Sequence, residues 1–234
     1  RLLTTYDIKT PMTSYHEHNK LTKLDYILGC LKEADVALVS EAGTPGVSDP
    51  GYELVLAAIQ QAIPVVPIPG PSAVIAALAI SGLATDRFTY LGFLPRKASS
   101  RQHLLETAAN EQGTIILLEA PHRLRATLTD ILLILGDRRI AVCRELTKIY
   151  EEVFRGNISQ AIDYFTEPRG EFTLVIEGSK LPVKPPVSAD IEKQLQQMRL
   201  SGVTARDAIS RVAETTDLSR KELYRAWLKL TKKT

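Results

Sequence analysis

The sequence predicts an α/β protein that carries a helical extension at its carboxyl end. Three observations lead there. From Val36 to Glu177, short apolar runs alternate with segments of helical apolar spacing. Two strand-to-helix junctions, Ser40 to Gly51 and Pro69 to Ala73, are dense in Gly and Pro. A stiff stretch, Leu181-Pro182-Val183-Lys184-Pro185-Pro186, then separates this body from three consecutive helical patterns. Alternating β and α segments argue for a sheet layered with helices.

The totals agree with that class. At 44% hydrophobic and 24% charged over 234 residues, the chain has the composition of an ordinary globular protein. It is long enough for one large domain or two small ones. Cys30 and Cys143 sit inside apolar patterns and read as buried thiols, not as a disulfide framework or a metal site. The four histidines are scattered, so no zinc or iron signature arises and no metal is expected. No apolar run is long enough to span a bilayer and no signal peptide is visible, so the expected compartment is the cytoplasm. Net charge is uneven. Residues 184–234 hold 11 Lys/Arg against 6 Asp/Glu, a local +5, which leaves −3 on the rest of a chain whose total is +2. A basic tail suits either a polyanionic partner or a solvated helical face.

Taken in order, Arg1 to Tyr6 reads as the end of a helix, so a further segment is expected ahead of it. Met12 to Tyr15 is extended and leads into His16-Glu17-His18-Asn19. Asn19 is expected to cap a helix over Lys20–Lys32, in which Leu21, Leu24, Ile27, Leu28 and Leu31 have helical spacing. A strand over Val36–Ser40 enters the first loop, and a helix over Tyr52–Gln61 leaves it. A strand over Pro64–Ile68 enters the second loop, where Ser72 can cap the helix Ala73–Ile80. That helix is almost wholly apolar and is expected to be buried. There follow a strand Phe88–Phe93, a basic loop Leu94-Pro95-Arg96-Lys97 and a helix Ser100–Glu111. A strand Thr114–Glu119 then runs into a helix ending at Leu135. Strands Arg139–Arg144 and Glu151–Arg155, a helix Ile158–Phe165 capped by Asn157 and a last strand Glu171–Glu177 complete the body. Beyond the linker, helices are expected over Ala189–Leu200, Thr204–Ala213 and Arg220–Leu230, with Ser219 a cap. The last two can form a helix-turn-helix reader or simply pack together.

No Walker loop, Gly-x-Gly-x-x-Gly or Ser nucleophile elbow is present. Polar groups gather instead at strand ends: 41–49, Ser72, Arg96 and Lys97, Glu119 to Arg123, Glu145 to Lys148, and Arg169 to Thr173. Beside two rigid Gly/Pro loops, this favours a cleft for a small molecule.

Five stretches resemble the tetrapyrrole-methylase-fold family. They are Ser-Glu-Ala-Gly-Thr-Pro-Gly-Val-Ser-Asp-Pro-Gly at 40–51, Pro-Ile-Pro-Gly-Pro-Ser-Ala at 67–73, Leu-Gly-Phe-Leu-Pro-Arg-Lys at 91–97, Glu-Ala-Pro-His-Arg-Leu at 119–124 and Arg-Glu-Leu-Thr-Lys-Ile-Tyr-Glu-Glu at 144–152. Within the family they are similar to the branch that 2′-O-methylates a cytidine in the decoding centre of 16S rRNA. The resemblance implies a class III methyltransferase fold with mixed sheets. Its two α/β domains would span 1–84 and 85–180, followed by a linker at 181–188 and a helical extension at 189–234. It also implies a homodimer that uses S-adenosyl-L-methionine on the small ribosomal subunit. By position, Ala42, Gly43, Thr44, Pro45, Ser48 and Asp49 would form the cofactor-side loop, with Ser72 and Ala73 on the second loop. Leu94, Glu119, Glu145, Leu146, Gly170 and Thr173 would line the other side. Arg96, Lys97, His122, Arg123 and Lys148 would face the RNA. Arg101 and the basic tail are further cations expected on the RNA side. The family pattern opens with a strand, a Thr-Pro-Ile-Gly-Asn-Leu-type loop and a helix ending in an Asp-Thr-Arg-type motif, none of which stands in these residues.

Methylation of a ribose hydroxyl is an in-line displacement that needs alignment and the removal of a proton. His122, Glu119 and Glu145 are candidates for the base, with a carboxylate neighbour orienting the imidazole. Lys148 would lower the hydroxyl's pKa or bind phosphate. Two other readings stand beside this one. The first is a tetrapyrrole methyltransferase of the same fold, and the second is a non-catalytic RNA-binding or ribosome-assembly factor.

Overall fold

The structure is a computed structural model that describes residues 2–40, 42–180, 189–216, 218 and 220–231. The chain forms two compact units, Arg1–Ser179 and Lys180–Thr234. In the first, among the described residues, four helices come before any strand: α1 (Leu2–Thr5), α2 (Lys20–Cys30), α3 (Tyr52–Gln60) and α4 (Ala73–Ile80). The remainder alternates: β1 (Phe88–Phe93), α5 (Ala98–Ala108), β2 (Thr114–Glu119), α6 (Pro121–Leu135), β3 (Arg139–Arg144), β4 (Glu152–Asn157), α7 (Ile158–Tyr164) and β5 (Phe172–Ile176).

The five strands form one mixed sheet in the order β1-β2-β5-β3-β4. β1 and β2 are parallel, and β5 pairs antiparallel with both β2 and β3. β1, β2 and β3 therefore run the same way. Their carboxyl ends, and the starts of β4 and β5, share one end of the sheet. Strand alternation sorts the core into two layers. Ile115, Leu117, Ile140, Val142, Leu174 and Ile176 face α5, α6 and α7. Ile116, Ala141, Cys143 and Val175 face the other way, toward Val74, Ala77 and Leu78 of α4.

Two expected strands are corrected. Residues 35–40 and 63–72 form no ladder with any described strand. Extended backbone becomes a sheet strand only beside a partner, and these segments pair with neither sheet edge. Val39, Val66 and Ile68 are consequently exposed. The expected burial of α4 is also corrected. Only one face of the helix packs on the sheet, while Ile75 and Ile80 are exposed. Asn19 precedes α2 without capping it. Its side chain accepts from His16 N at 2.8 Å and donates to Ser14 O, bracing the turn ahead of the helix. Ser72 does cap α4, its hydroxyl accepting from Ile75 N.

The second unit holds α8 (Ala189–Leu200), α9 (Ala205–Thr215) and α10 (Arg220–Thr231). Their apolar faces meet around Leu195, Ala208, Val212, Leu223 and Trp227. Thr204 caps α9 by accepting from Asp207 N. The expected linker at 181–188 and the Ser219 cap lie outside the described residues, as does Glu41 of the first loop. Among the described residues no helix is long and apolar enough to cross a membrane.

Candidate active site

Four loops share the sheet end defined by the carboxyl ends of β1, β2 and β3: 94–97, 120–123, 145–151 and 168–171. At this end open α/β sheets place their ligands.

The loop after β3 is the most constrained. Glu145 and Thr147 both take positive φ, at 48° and 67°. L residues avoid this region, so the surroundings must hold them there. Glu145 N donates to Glu171 O at 3.0 Å, and Glu171 N donates back to Glu145 Oε1 at 2.8 Å. Lys148 N donates to Glu145 O, and Thr147 N donates to Glu151 Oε2. Lys148 Nζ bridges Glu145 Oε1 at 3.1 Å and Glu171 Oε2 at 2.9 Å. The Glu171 N–H, and then the Lys148 ammonium, hold the Glu145 carboxyl below its ordinary range. Glu171 and then Glu145 hold Lys148 above its own. Both groups are ionised at neutral pH. Gly170 is the counterpart of this arrangement. It has φ 86°, and a Cβ there would stand 2.5 Å from Glu145 Cγ. Only glycine leaves room for the carboxylate. Arg144 Nε donates to Arg169 O and ties the same segment to β3.

Glu119 ends β2 in a different role. Pro121 begins α6 with no N–H to satisfy, and Ala120 has no polar side chain with which to cap. The Glu119 carboxylate serves instead. Oε1 accepts from Ala120 N at 2.9 Å and Oε2 from Thr127 Oγ1 at 2.6 Å. Arg123 Nε lies 3.3 Å from Oε1, close enough for charge pairing but without hydrogen-bond geometry. The Arg123 Nη2 donates to Leu94 O and Pro95 O, which fixes the basic loop.

The two Gly/Pro loops are joined to each other and to the sheet. Thr44 Oγ1 donates to Pro71 O at 3.4 Å, and the Ser48 and Tyr90 hydroxyls are 2.5 Å apart. Gly43, Gly46 and Ser48 all have positive φ. Ala42, Gly43, Thr44, Ser48, Asp49 and Ala73 are exposed, and Pro45 and Ser72 are half-buried.

Several expected site residues prove to be structural. Arg101 is only 7% exposed, and its guanidinium pairs with Asp130 across α5 and α6 (Nε–Oδ2 2.6 Å), so it does not face RNA. Arg123 is likewise turned inward, onto carbonyls and Glu119. Glu119 itself is 1% exposed with both oxygens engaged, which removes it as a base and as a cofactor contact. Leu94 and Thr173 place their side chains in the core, because one belongs to the helix-side cluster and the other to the fully buried strand β5. His122 is exposed on the first turn of α6, but the carboxylate expected to orient it is committed elsewhere. Arg96 and Lys97 are exposed, and Leu146 packs beneath α4. Tyr90 enters the site unannounced, because it carries no signal in a strand pattern. Glu171 lay within the polar group Arg169 to Thr173 but had no role assigned to it. A cavity of about 310 Å³ lined by Ser81, Leu83, Arg139, Arg155 and Asn157 lies at the opposite sheet end, and no candidate residue lines it. There Arg155 and Arg139 donate to Ile80 O and Gly82 O and close the end of α4.

A mixed five-stranded sheet, Gly/Pro loops at one end and acidic and basic strand termini define an α/β enzyme of the class that binds a small cofactor at its strand ends. Known proteins narrow this further. The model of the family Tetrapyrrole (Corrin/Porphyrin) Methylases matches residues 4–162. The Ribosomal RNA small subunit methyltransferase I of Synechocystis is 48% identical over 98% of this chain and 84% of its own length. The proteins of the same name from Halalkalibacterium halodurans and Bacillus subtilis are each 42% identical, over 96% and 97% of this chain and 80% of their own lengths. Among solved structures, the Thermus thermophilus uroporphyrin-III C-methyl transferase complexed with S-adenyl homocysteine aligns with a TM-score of 0.52. It is 18% identical, over 74% of this chain and 80% of its own. Diphthine synthase aligns with a TM-score of 0.54 at 13% identity, over 74% and 71% of the two chains. The chain belongs to the tetrapyrrole methylase family and, within it, to the group of the ribosomal RNA small subunit methyltransferase I proteins.

Proposed function

We propose that the chain transfers a methyl group from S-adenosyl-L-methionine to the 2′-hydroxyl of a cytidine in the decoding region of 16S rRNA. It would act as a homodimer on the small ribosomal subunit. The observation that carries this reading is the joining of two Gly/Pro loops to the sheet whose strand ends hold the Glu145–Lys148–Glu171 cluster. The names of the similar proteins support the RNA substrate, and the S-adenyl homocysteine of the Thermus enzyme supports the cofactor class.

The residues present fit that cofactor. At Gly43 and Gly46 the space a Cβ would take is open, so a ligand can approach the main chain. Ala42, Gly43, Thr44, Pro45, Ser48 and Asp49 would hold it from the first loop, Ser72 and Ala73 from the second, and Leu146 and Gly170 from the far side. When bound, it supplies an electrophilic sulfonium methyl group.

The chain's own residues do the rest. Lys148 remains an ammonium group, with two of its three protons given to Glu145 and Glu171. The third is left for a ribose or phosphate oxygen. A cation beside a hydroxyl lowers the hydroxyl's pKa. Glu145 holds that cation in place. His122, exposed and uncommitted, is the group that accepts the hydroxyl proton. Arg96 and Lys97 take backbone phosphates, which adds salt-dependent affinity without sequence choice.

The test is transfer of labelled methyl from S-adenosyl-L-methionine. The acceptors, offered in parallel, are small subunits lacking the modification, naked rRNA and a tetrapyrrole precursor. Label on a single ribose in the subunit supports the reading. Label on the tetrapyrrole, or cofactor binding with no acceptor labelled, refutes it.

A further inference from the structure

The turn between β3 and β4 is rigid, yet it displays bulky apolar groups to water. Ile149 is 90% exposed and Tyr150 68% exposed. Neither belongs to a buried cluster. They are not on a loose loop. Two non-glycine residues at positive φ stand just before them, and five bonds fix that backbone: Glu145 N to Glu171 O, Glu171 N to Glu145 Oε1, Lys148 N to Glu145 O, Glu151 N to Lys148 O and Thr147 N to Glu151 Oε2. Strained backbone persists where the surroundings over-determine it, and it clusters at working sites. Two adjacent bulky apolar groups held out at a rigid tip are placed for a contact.

The charges around the tip select the partner. Lys148 precedes Ile149 directly. Arg96 and Lys97 lie at the same sheet end, exposed. Glu151 caps Thr147 N, and Glu152 takes the Tyr164 hydroxyl and Arg144. Lys148 is held between Glu145 and the exposed Glu171, which leaves one of its three protons for a partner. The tip therefore offers an ammonium N–H beside a flat aromatic ring, with Arg96 and Lys97 as the cations outside any ion pair at this end among the described residues. That combination suits a polyanion whose bases can leave their stack. Sequence-selective RNA recognition uses such splayed bases, stacked on aromatic side chains. Base–aromatic stacking is a common grip on single strands.

We propose that Tyr150, flanked by Ile149, is the platform on which an unstacked base of the RNA substrate stacks while Lys148 engages its sugar–phosphate. This rests on the reading of the chain as an RNA methyltransferase and names the part of the site that grips a base. Stacking the base holds its ribose near Lys148. Tyr150 is a positioning residue with no part in proton transfer.

The experiment compares wild type with Tyr150→Ala, Tyr150→Phe and Tyr150→Trp. Labelled methyl transfer to unmodified small subunits is measured together with cofactor affinity and sedimentation. Tyr150→Ala is expected to lower kcat/KM for the subunit by about 5- to 150-fold, mainly through KM. Cofactor affinity stays unchanged, and Tyr150→Phe stays within about threefold of wild type because it keeps the stacking face. The chain has one natural tryptophan, so the added emission of Tyr150→Trp is read against wild type and is quenched when a short single-stranded RNA is added. An unaltered kcat/KM in Tyr150→Ala overturns the proposal. So does a change in sedimentation with unaltered subunit affinity, which would make the tip an interface between copies. If wild type labels no RNA, the functional reading fails by itself. The fluorescence titration of the Tyr150→Trp variant then decides the platform: quenching by RNA supports it, and its absence overturns it.

Discussion

Replacing Arg101 by Met separates a structural cation from an RNA-facing one. The guanidinium and the Asp130 carboxylate bridge α5 and α6, with side chains 9% and 11% exposed. Gln102 Nε2 donates to the other carboxylate oxygen at 2.9 Å. Removing one partner of a buried pair leaves the other charge uncompensated and costs about 3–5 kcal/mol. The Gln102 bond survives, so the lower figure, about 3 kcal/mol, is expected. With a urea slope of roughly 2 kcal/mol per molar, the unfolding midpoint falls by about 1.5 M. The double variant Arg101→Met/Asp130→Leu removes the orphaned charge and recovers most of that loss, because apolar pairs replace buried ion pairs at little cost. Far-UV circular dichroism follows the helices and strands of both units. Trp227, in the helical unit, serves as a fluorescence control. A midpoint within about 0.25 M of wild type, coupled with a salt dependence of RNA binding shallower by about one, would refute the reasoning and return Arg101 to the RNA surface.

Gly170→Ala places a methyl group 2.5 Å from Glu145 Cγ at φ 86°; thermal melting should show a loss of about 1–3 kcal/mol, with methyl transfer falling further as Glu145 leaves Glu171 N. Lys148→Met tests the linked charges. Glu145's folded pKa is depressed, so its contribution is full above the unfolded carboxyl value and lost as pH falls through the folded one. Lys148's folded pKa is raised, so its contribution is full below the unfolded ammonium value and lost as pH rises through the folded one. The melting-temperature gap between wild type and Lys148→Met is therefore widest between roughly pH 5 and pH 10. A gap that stays flat from acid to alkali contradicts the cluster. Burial pushes the Cys143 thiol up to about 11, so an aqueous thiol reagent at about pH 8 should titrate Cys30 alone in the native protein and both cysteines in urea. His122→Ala should abolish turnover while leaving cofactor affinity, read by calorimetry, intact; full turnover would remove it as the base.

The elements from Phe88 to Ile176 were legible because each carries a clear local signal. β2 and β5 are short apolar runs, α6 keeps Leu124, Leu128, Ile131 and Leu135 on one stripe, and Pro121 and Gly136 punctuate its ends. Val36–Ser40 and Pro64–Ile68 carry the same strand composition, yet they form no strand with any described partner. β propensity describes fitness for a pleated, partnered surface, and no sequence period announces whether the partner is there. The apolar helix α4 misled in a related way. Composition all round said buried, while its packing against one sheet face covers one side only.

The candidate site was legible in its grouping and not in its directions. Charged residues at strand ends gather at one end of the sheet, but polarity alone does not say which way a side chain turns. Helical phase does. Arg101 stands four and seven residues ahead of Leu105 and Ala108, on the buried stripe of α5. Thr127 and Asp130 share the buried stripe of α6 with Leu124 and Ile131. A long cation on an apolar stripe must find a carboxylate there, because an unpaired buried charge is prohibitively costly, and Asp130 lies on the facing helix. The same phase places His122 off the stripe. It offers nothing for loop residues, and Arg96, Lys97, Lys148 and Tyr150 acquire direction only from the hydrogen bonds that fix their turns. The candidate groups exposed at this sheet end include the His122 imidazole, Arg96, Lys97, the Tyr150 ring and Lys148, the last held between Glu145 and Glu171 with one N–H to spare. That residue set suits a ribose, its phosphates and its base better than it suits a tetrapyrrole carboxylate rim, which would need the cations without the ring.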